Sequence, residues 1–368
     1  MYLNNLKIVN FRKIEKLNLL FNKTNLFIGD NAVGKTSVLE AIYYLAYTKS
    51  FKADYKNVVN FNGEFIKLEG NNLKDLLVID TGSKTKITVD GILVTKKTDY
   101  IGSLLVLLYS PTDNVLVKAE PSYKRRFINM TYGLLDNKYL DDLNMYNKIL
   151  KNRNILLKES KDLILLDIIT EDLVKYNEII KEKRTSFIEL INSKIVDIHK
   201  TIASQDEELK LEYVTTNNIK EKLDKTREYD LVTGTTNSGI HRDNLKFKIN
   251  GKDASDFAST GQIRTILLSL NLALLEIIYE AKGTYPLLLL DDCFNEIDKT
   301  RIKNFINLLG KKQVQVFITG TDENIINEIE KHDMKVFYMS NGCVTKEENY
   351  EWNIYCREYS DSRRSWSS

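Results

Sequence analysis

The chain has 368 residues, with 53 lysines and arginines against 51 aspartates and glutamates, and 43% of it is hydrophobic. That length buries a sizeable core in one elaborated domain or two lobes, two being the expectation, and a net charge of +2 means that any nucleic-acid-binding surface must be local. Three cysteines (Cys293, Cys343, Cys356) without C-x-x-C spacing argue against a zinc site or a disulfide framework. The N-terminus lacks a signal-peptide pattern and no apolar run approaches the roughly 18 residues of a membrane span, so a soluble cytoplasmic protein with no membrane partner is expected.

In chain order, Leu3–Phe11 and Leu17–Phe21 alternate or cluster apolar residues like strands, and the apolar run Asn25–Ile28 ends directly at Gly29. From Thr36 to Ala46, Val38, Leu39, Ile42 and Leu45 fall on one stripe at helical spacing. Residues 58–109 read as an antiparallel side sheet built from Phe65–Leu68, Leu76–Ile79, Ile87–Val89 and Leu104–Tyr109, with Asp90-Gly91 as a hairpin turn. No glycine then occurs between Gly133 and Gly234, and no proline between Pro121 and Pro286, while leucines and isoleucines recur at three- and four-residue steps among lysines and glutamates. Long amphipathic helices folded into a compact lobe are predicted. Leu245–Gly251 is read as a strand and turn returning to the first lobe. Residues after about 345 are polar, and Ser360–Ser368 are expected to be disordered.

Two motifs carry chemistry. Gly29-Asp30-Asn31-Ala32-Val33-Gly34-Lys35-Thr36 is a complete G-x-x-x-x-G-K-T between a strand and a helix, followed by Ser37. Glycines let successive N–H groups converge on β- and γ-phosphates, the helix N-terminus adds partial positive charge, Lys35 reaches the β/γ-phosphates and the Thr36 hydroxyl coordinates Mg²⁺. About 250 residues later, Leu287–Leu290 forms an apolar strand tipped by Asp291 and Asp292. A carboxylate there is costly unless paired or coordinated. Asp291 is therefore assigned to the metal and Asp292 to the attacking water. Asp298 either sits at a dimer face or caps the helix from Lys299, and the two roles are compatible. Ser259-Thr260-Gly261-Gln262 precedes a long apolar helix whose capped N-terminus suits an anion. His199 and His332 are read as ordinary helix-surface residues, and Lys124–Arg126 and Lys181–Arg184 as solvated charge runs with a lesser claim on DNA phosphates.

The Ser259–Gln262 tetrapeptide resembles the signature motif of ABC-type ATPases, which presents its donors to a γ-phosphate held by the opposite protomer. Over most of its length the chain resembles the RecF family of SMC-related recombination and gap-repair ATPases. The resemblance rests on Asn10-Phe11-Arg12, Ser50-Phe51-Lys52, Tyr109–Asp113, Leu116–Lys118, Pro121–Arg126, Gly239–Asp243, Phe247–Gly251, Phe257–Thr265, Leu289–Asp298 and Gln315–Asp322. Lys52 stands where the family usually has arginine, Thr260 replaces a glutamine, Ile240 a common proline, and Gly320 interrupts a threonine run.

This resemblance implies an α/β fold: an ABC/SMC-head-like P-loop ATPase lobe with mixed and antiparallel sheets, plus a helical second lobe. The expected division is 1–110 for the P-loop part, 111–235 for the helical lobe, 236–345 for the signature helix and acid-tipped strand completing the ATPase, and 346–368 for a polar tail. It also implies a nucleotide site drawing on Arg12, Gly29–Ser37, Ser259, Gly261 and Gln262, with Lys35, Asp291 and Asp292 catalytic, Thr36 and Asp291 on Mg²⁺, and ATP clamped in a homodimer. Double-stranded and single-stranded or gapped DNA, RecR, RecO and, indirectly, RecA are the implied partners. Alternatives are an SMC-like ATPase serving a different partner, and a scaffold that holds ATP without hydrolysing it.

Overall fold

A computed structural model describes residues 2–52, 57–60, 63–72, 74–82, 84–110, 114–159, 162–203, 207–294, 297–321 and 333–350. The elements in chain order are β1 (Leu3–Phe11), β2 (Ile14–Leu20), β3 (Thr24–Ile28), α1 (Lys35–Tyr47), β4 (Lys67–Asn72), β5 (Leu76–Asp80), β6 (Lys86–Val89), β7 (Ile92–Leu93), α2 (Lys97–Tyr100), β8 (Val106–Tyr109), α3 (Asn114–Lys118), α4 (Pro121–Gly133), α5 (Asn137–Glu159), α6 (Leu163–Ala203) and β9 (Leu209–Val214). They continue with α7 (Ile219–Lys225), α8 (Arg227–Thr233), β10 (Asn244–Ile249), β11 (Lys252–Asp253), α9 (Ala254–Phe257), α10 (Thr260–Lys282), β12 (Leu287–Leu290), α11 (Lys299–Gly310), β13 (Val316–Gly320), β14 (Met334–Ser340) and β15 (Cys343–Tyr350). Contacts divide the chain into one unit of Met1–Tyr109, Pro286–Asn295 and Ile306–Ser368, and a second of Ser110–Tyr285 and Glu296–Phe305.

The first unit holds two six-stranded sheets. One is antiparallel, in the order β2-β1-β4-β5-β6-β7, and Asp90 (φ 51°) with Gly91 (φ 79°) makes the expected tight turn between β6 and β7. The other runs β15-β14-β3-β13-β12-β8, parallel throughout except for β15 on β14. Leu104–Tyr109 thus corrects the sequence reading. Its strand, β8, lies beside β12 in the parallel sheet, because an apolar run without alternation suits a strand covered on both faces. α1 packs against β1, β4 and β5 of one sheet and β8 and β13 of the other, so burial runs round the helix from Val38 to Tyr47 instead of following one stripe. Residues 346–350 belong to β15, so the polar tail starts later than expected; Ser360–Ser368 lie outside the described residues.

The second unit is built on α5 and α6, whose antiparallel course follows from the pairing of Arg153 with Thr170 and of Tyr139 with Arg184. Tyr139, Tyr146, Leu173, Ile180, Ile219, Leu223 and Ile240 form its core. β10 does not return to the first unit. It pairs with β9 and β11 in a three-stranded antiparallel sheet of the second unit, to which α10 also belongs, so the stretch 236–285 groups with the helical lobe. α10 is long and apolar enough to cross a membrane, contrary to the reading of the sequence, yet 83% of its apolar window is buried inside the protein, as befits a core helix.

Candidate nucleotide site

β3 delivers the chain to Gly29 beside β14, where a Cβ would lie 2.4 Å from the Met339 carbonyl oxygen; only glycine fits so close an approach. Asp30, Asn31 and Ala32 form the exposed crest of the loop and Val33 leads to Gly34, which turns at φ 112° into α1. Gly34 contributes no capping side chain and the first turn, including Ser37, carries no acid, so the helix N-terminus is open to an anion. Two distant turns brace the loop from outside. Lys13 Nζ donates to Ala32 O at 2.8 Å, and Gly342 N donates to Val33 O at 2.8 Å. Asn341-Gly342 is a hairpin-turn dipeptide like Asp90-Gly91, but nothing local in the sequence tied it or Lys13 to the glycine loop.

Lys35 is 5% exposed, and its ammonium donates to the loop carbonyls of Gly29 (2.6 Å) and Asp30 (2.7 Å). Burial lowers its pKa, with Asp292, Asp291 and Asp30 pulling in the opposite direction. Arg12 is fastened to α1: its Nε and Nη2 form a bidentate pair with Glu40 at 2.9 and 2.8 Å, and its Nη1 donates to Asn57 O. Ser50 Oγ also donates to Glu40.

β3 and β12 flank β13, so the loop and the acidic strand end are one strand apart on the same edge of the sheet. Asp291 is 1% exposed. Its Oδ1 accepts from the Thr36 hydroxyl at 2.7 Å and the Thr319 hydroxyl at 2.9 Å, and Lys52 Nζ lies 3.1 Å from its Oδ2. Thr319 Oγ1 in turn accepts from Asp292 N at 2.9 Å, holding Asp292 in a left-handed conformation of φ 44°. The structure therefore brings Lys35, Thr36, Asp291 and Asp292 together and adds Thr319 and Lys52, to which sequence reasoning assigned no contact. Asp322 and His332 lie outside the described residues.

The remaining predicted residues are in the second unit. Ser259 caps α10: its hydroxyl oxygen accepts from Gln262 N (3.2 Å) while Gln262 Oε1 accepts from Ser259 N (3.0 Å), a reciprocal capping box. Among the described residues the N–H groups of Thr260 and Gly261 have no partner, so the donors facing outward are these two and the Ser259 O–H. Asp298 caps α11, accepting from Arg301 N at 3.0 Å. The basic runs are largely consumed internally: Lys124 and Arg184 are buried, Arg125 donates to Asp243 O, and Lys183 pairs with Asp136 and Asp142. His241 accepts from the Tyr146 hydroxyl at Nδ1 and donates from Nε2 to Thr236 O, which makes it a fastening of the helical unit.

Residues 1–333 match the model of the AAA ATPase domain family. The chain is 36% identical to the DNA replication and repair protein RecF of Lactobacillus johnsonii, covering 95% of this chain and 100% of the relative, and 35% identical to that of Bacillus subtilis, covering 94% and 100%. The chain belongs to the RecF family. The solved recombination mediator protein RecF with ATP superposes with a TM-score of 0.83 at 30% identity, covering 94% of this chain and 97% of that one. An Smc head bound to the winged-helix domain of ScpA gives 0.59 at 14% identity, a likeness of fold alone. The RecF-family chain is thus an ATPase with an ABC/SMC-like P-loop head.

Proposed function

We propose that two copies of this chain clamp ATP between them, the P-loop of one and the serine-capped helix of its partner closing on the same triphosphate. The Thr36–Asp291 contact carries the reading: a hydroxyl that follows the glycine loop meets a buried carboxylate at a parallel strand end, 2.7 Å apart. A hydroxyl and a carboxylate are hard oxygen donors of the kind Mg²⁺ takes; Thr36 and Asp291 would hold it, and when bound it would neutralise phosphate charge. Gly29–Gly34 wrap the phosphates, and Lys35 re-aims its ammonium from the carbonyls of Gly29 and Asp30. Asp292, restrained through Thr319, polarises the water. Arg12 contributes indirectly by fastening Glu40 and α1. From the partner come the Ser259 hydroxyl and the N–H groups of Thr260 and Gly261, with Gln262 holding the cap.

On this reading binding energy for ATP is also dimerisation energy, and hydrolysis releases the clamp. The dimer grips double-stranded and gapped DNA in the cytoplasm, works with RecO and RecR, and helps to load RecA. Light scattering with and without ATP tests the core of it. Lys35→Ala abolishes ATP-induced dimers, whereas Asp292→Asn keeps the dimer and slows hydrolysis by about 10²- to 10⁴-fold. A Lys35→Ala protein that dimerises normally with ATP would overturn it.

A further inference from the structure

His199 departs furthest from the sequence reading. Expected on a helix surface, it lies in the last turns of α6 at 0% exposure. Its Nδ1 is 3.0 Å from Ser269 Oγ on α10, and its Nε2 is 3.5 Å from Glu207 Oε2. The Ser269 hydroxyl also donates to Thr265 O at 2.8 Å. Burial is the main influence on His199 and lowers its pKa; Arg301 of α11 adds to this and Glu207 opposes it. At 3.5 Å Glu207 Oε2 faces the ring without a close hydrogen bond to it. Glu207's other oxygen is engaged: Oε1 accepts from Gln262 Nε2 at 3.0 Å.

We propose that Glu207 is a positioning residue for the signature helix, its Oε1 locking the Gln262 amide so that the Ser259 capping box keeps its donors aimed outward. The inference rests on the two-copy site proposed above. Gln262 has one amide group and two tasks. Its oxygen holds Ser259 N, and only the anchoring of its nitrogen fixes the plane of the amide. Without Glu207 the amide is free to rotate, Ser259 N loses its partner, and the first turn of α10 frays. The task requires an acceptor, not a charge. A glutamine at 207 would keep an oxygen for Gln262.

The test compares Glu207→Ala, Glu207→Gln and Gln262→Leu with the wild-type chain and with Ser259→Arg. Dimerisation is read by analytical ultracentrifugation in ATPγS, and nucleotide binding to the single chain with a fluorescent ADP. Glu207→Ala and Gln262→Leu are expected to weaken ATPγS-driven dimerisation at least tenfold, Glu207→Ala with ADP affinity unchanged, while Glu207→Gln stays within twofold of wild type. Wild-type dimerisation by Glu207→Ala, or a loss in Glu207→Gln as large as in Glu207→Ala, overturns the assignment of Glu207. If Ser259→Arg also dimerises like wild type, the two-copy site falls and this inference with it; if Ser259→Arg loses dimers while Glu207→Ala keeps them, only the role of Glu207 is refuted.

Discussion

Replacing Thr319 by valine removes one oxygen from the centre of the site and leaves its volume in place. That oxygen donates to the buried Asp291 carboxylate and accepts from Asp292 N, both at 2.9 Å. A bond to a charged acceptor is worth about 1.5–3 kcal/mol and a neutral backbone bond about 0.5–1.5 kcal/mol. Burying a methyl in place of the hydroxyl returns about 0.8 kcal/mol. The net loss of stability is therefore about 1–4 kcal/mol, measured as a lower urea midpoint at unchanged slope. Function should suffer separately. Asp292 holds a left-handed φ of 44°, which costs a non-glycine residue about 1–2 kcal/mol, and the Thr319 bond restrains it there. Released, the Asp292 carboxylate loses its aim, and we expect ATP turnover to fall about 10- to 100-fold while ATPγS-driven dimerisation is kept. Thr319→Ser, which retains the hydroxyl, should hydrolyse ATP close to normally. A valine variant with the expected stability loss but wild-type turnover would refute the positioning argument, and a loss below about 1 kcal/mol would refute the hydrogen-bond bookkeeping.

Three further outcomes follow from the same geometry. Gly342→Ala puts a Cβ 2.3 Å from the Lys13 carbonyl oxygen at a φ of 78°, so thermal melting should show a loss of about 2 kcal/mol or more, and nucleotide titration a weaker P-loop, since Gly342 N holds Val33 O; wild-type melting would contradict this. Arg153→Met strands the buried Asp230 carboxylate with its Asn237 donors alone and should cost about 3–5 kcal/mol in urea, of which the double variant with Asp230→Asn recovers a part. Burial, the main influence on both His199 and His241, lowers their pKa values, so below about pH 6.5 the unfolded chain takes up protons that the folded chain refuses. Stability should therefore fall on acidification from pH 7.5 to 5.5, by up to about 1.4 kcal/mol per pH unit for each histidine. Asp243, raised by burial, acts with the opposite sign in the range just above 3.8, and a flat or rising urea midpoint between pH 7.5 and 5.5 would show that the histidines are not shielded.

What could be read from the sequence was what lies close together along the chain. The glycine loop from Gly29 to Gly34, its strand and helix, the serine cap of α10, the turn at Asp90-Gly91 and the acids at the end of β12 are written in spacing, capping chemistry and periodicity, each decided within a few residues. The resemblance to the RecF family rested on blocks of that kind. Burial and long-range partners were another matter. His199 and Arg184 carry polar side chains on amphipathic helices, and periodicity did not show that one would be walled in by α10 and Glu207 and the other by Tyr139 and Asp243. Lys52, Thr319 and Gly342 acquire their contacts with Asp291 and Val33 only when strands far apart in the chain become neighbours in one sheet. The sequence alone determined that a phosphate loop and an acidic strand end exist. Tertiary structure decided that Thr36 and Asp291, 255 positions apart, meet at 2.7 Å, because β13, which joined neither motif in sequence, inserts between their strands and sets the spacing that α1 then spans.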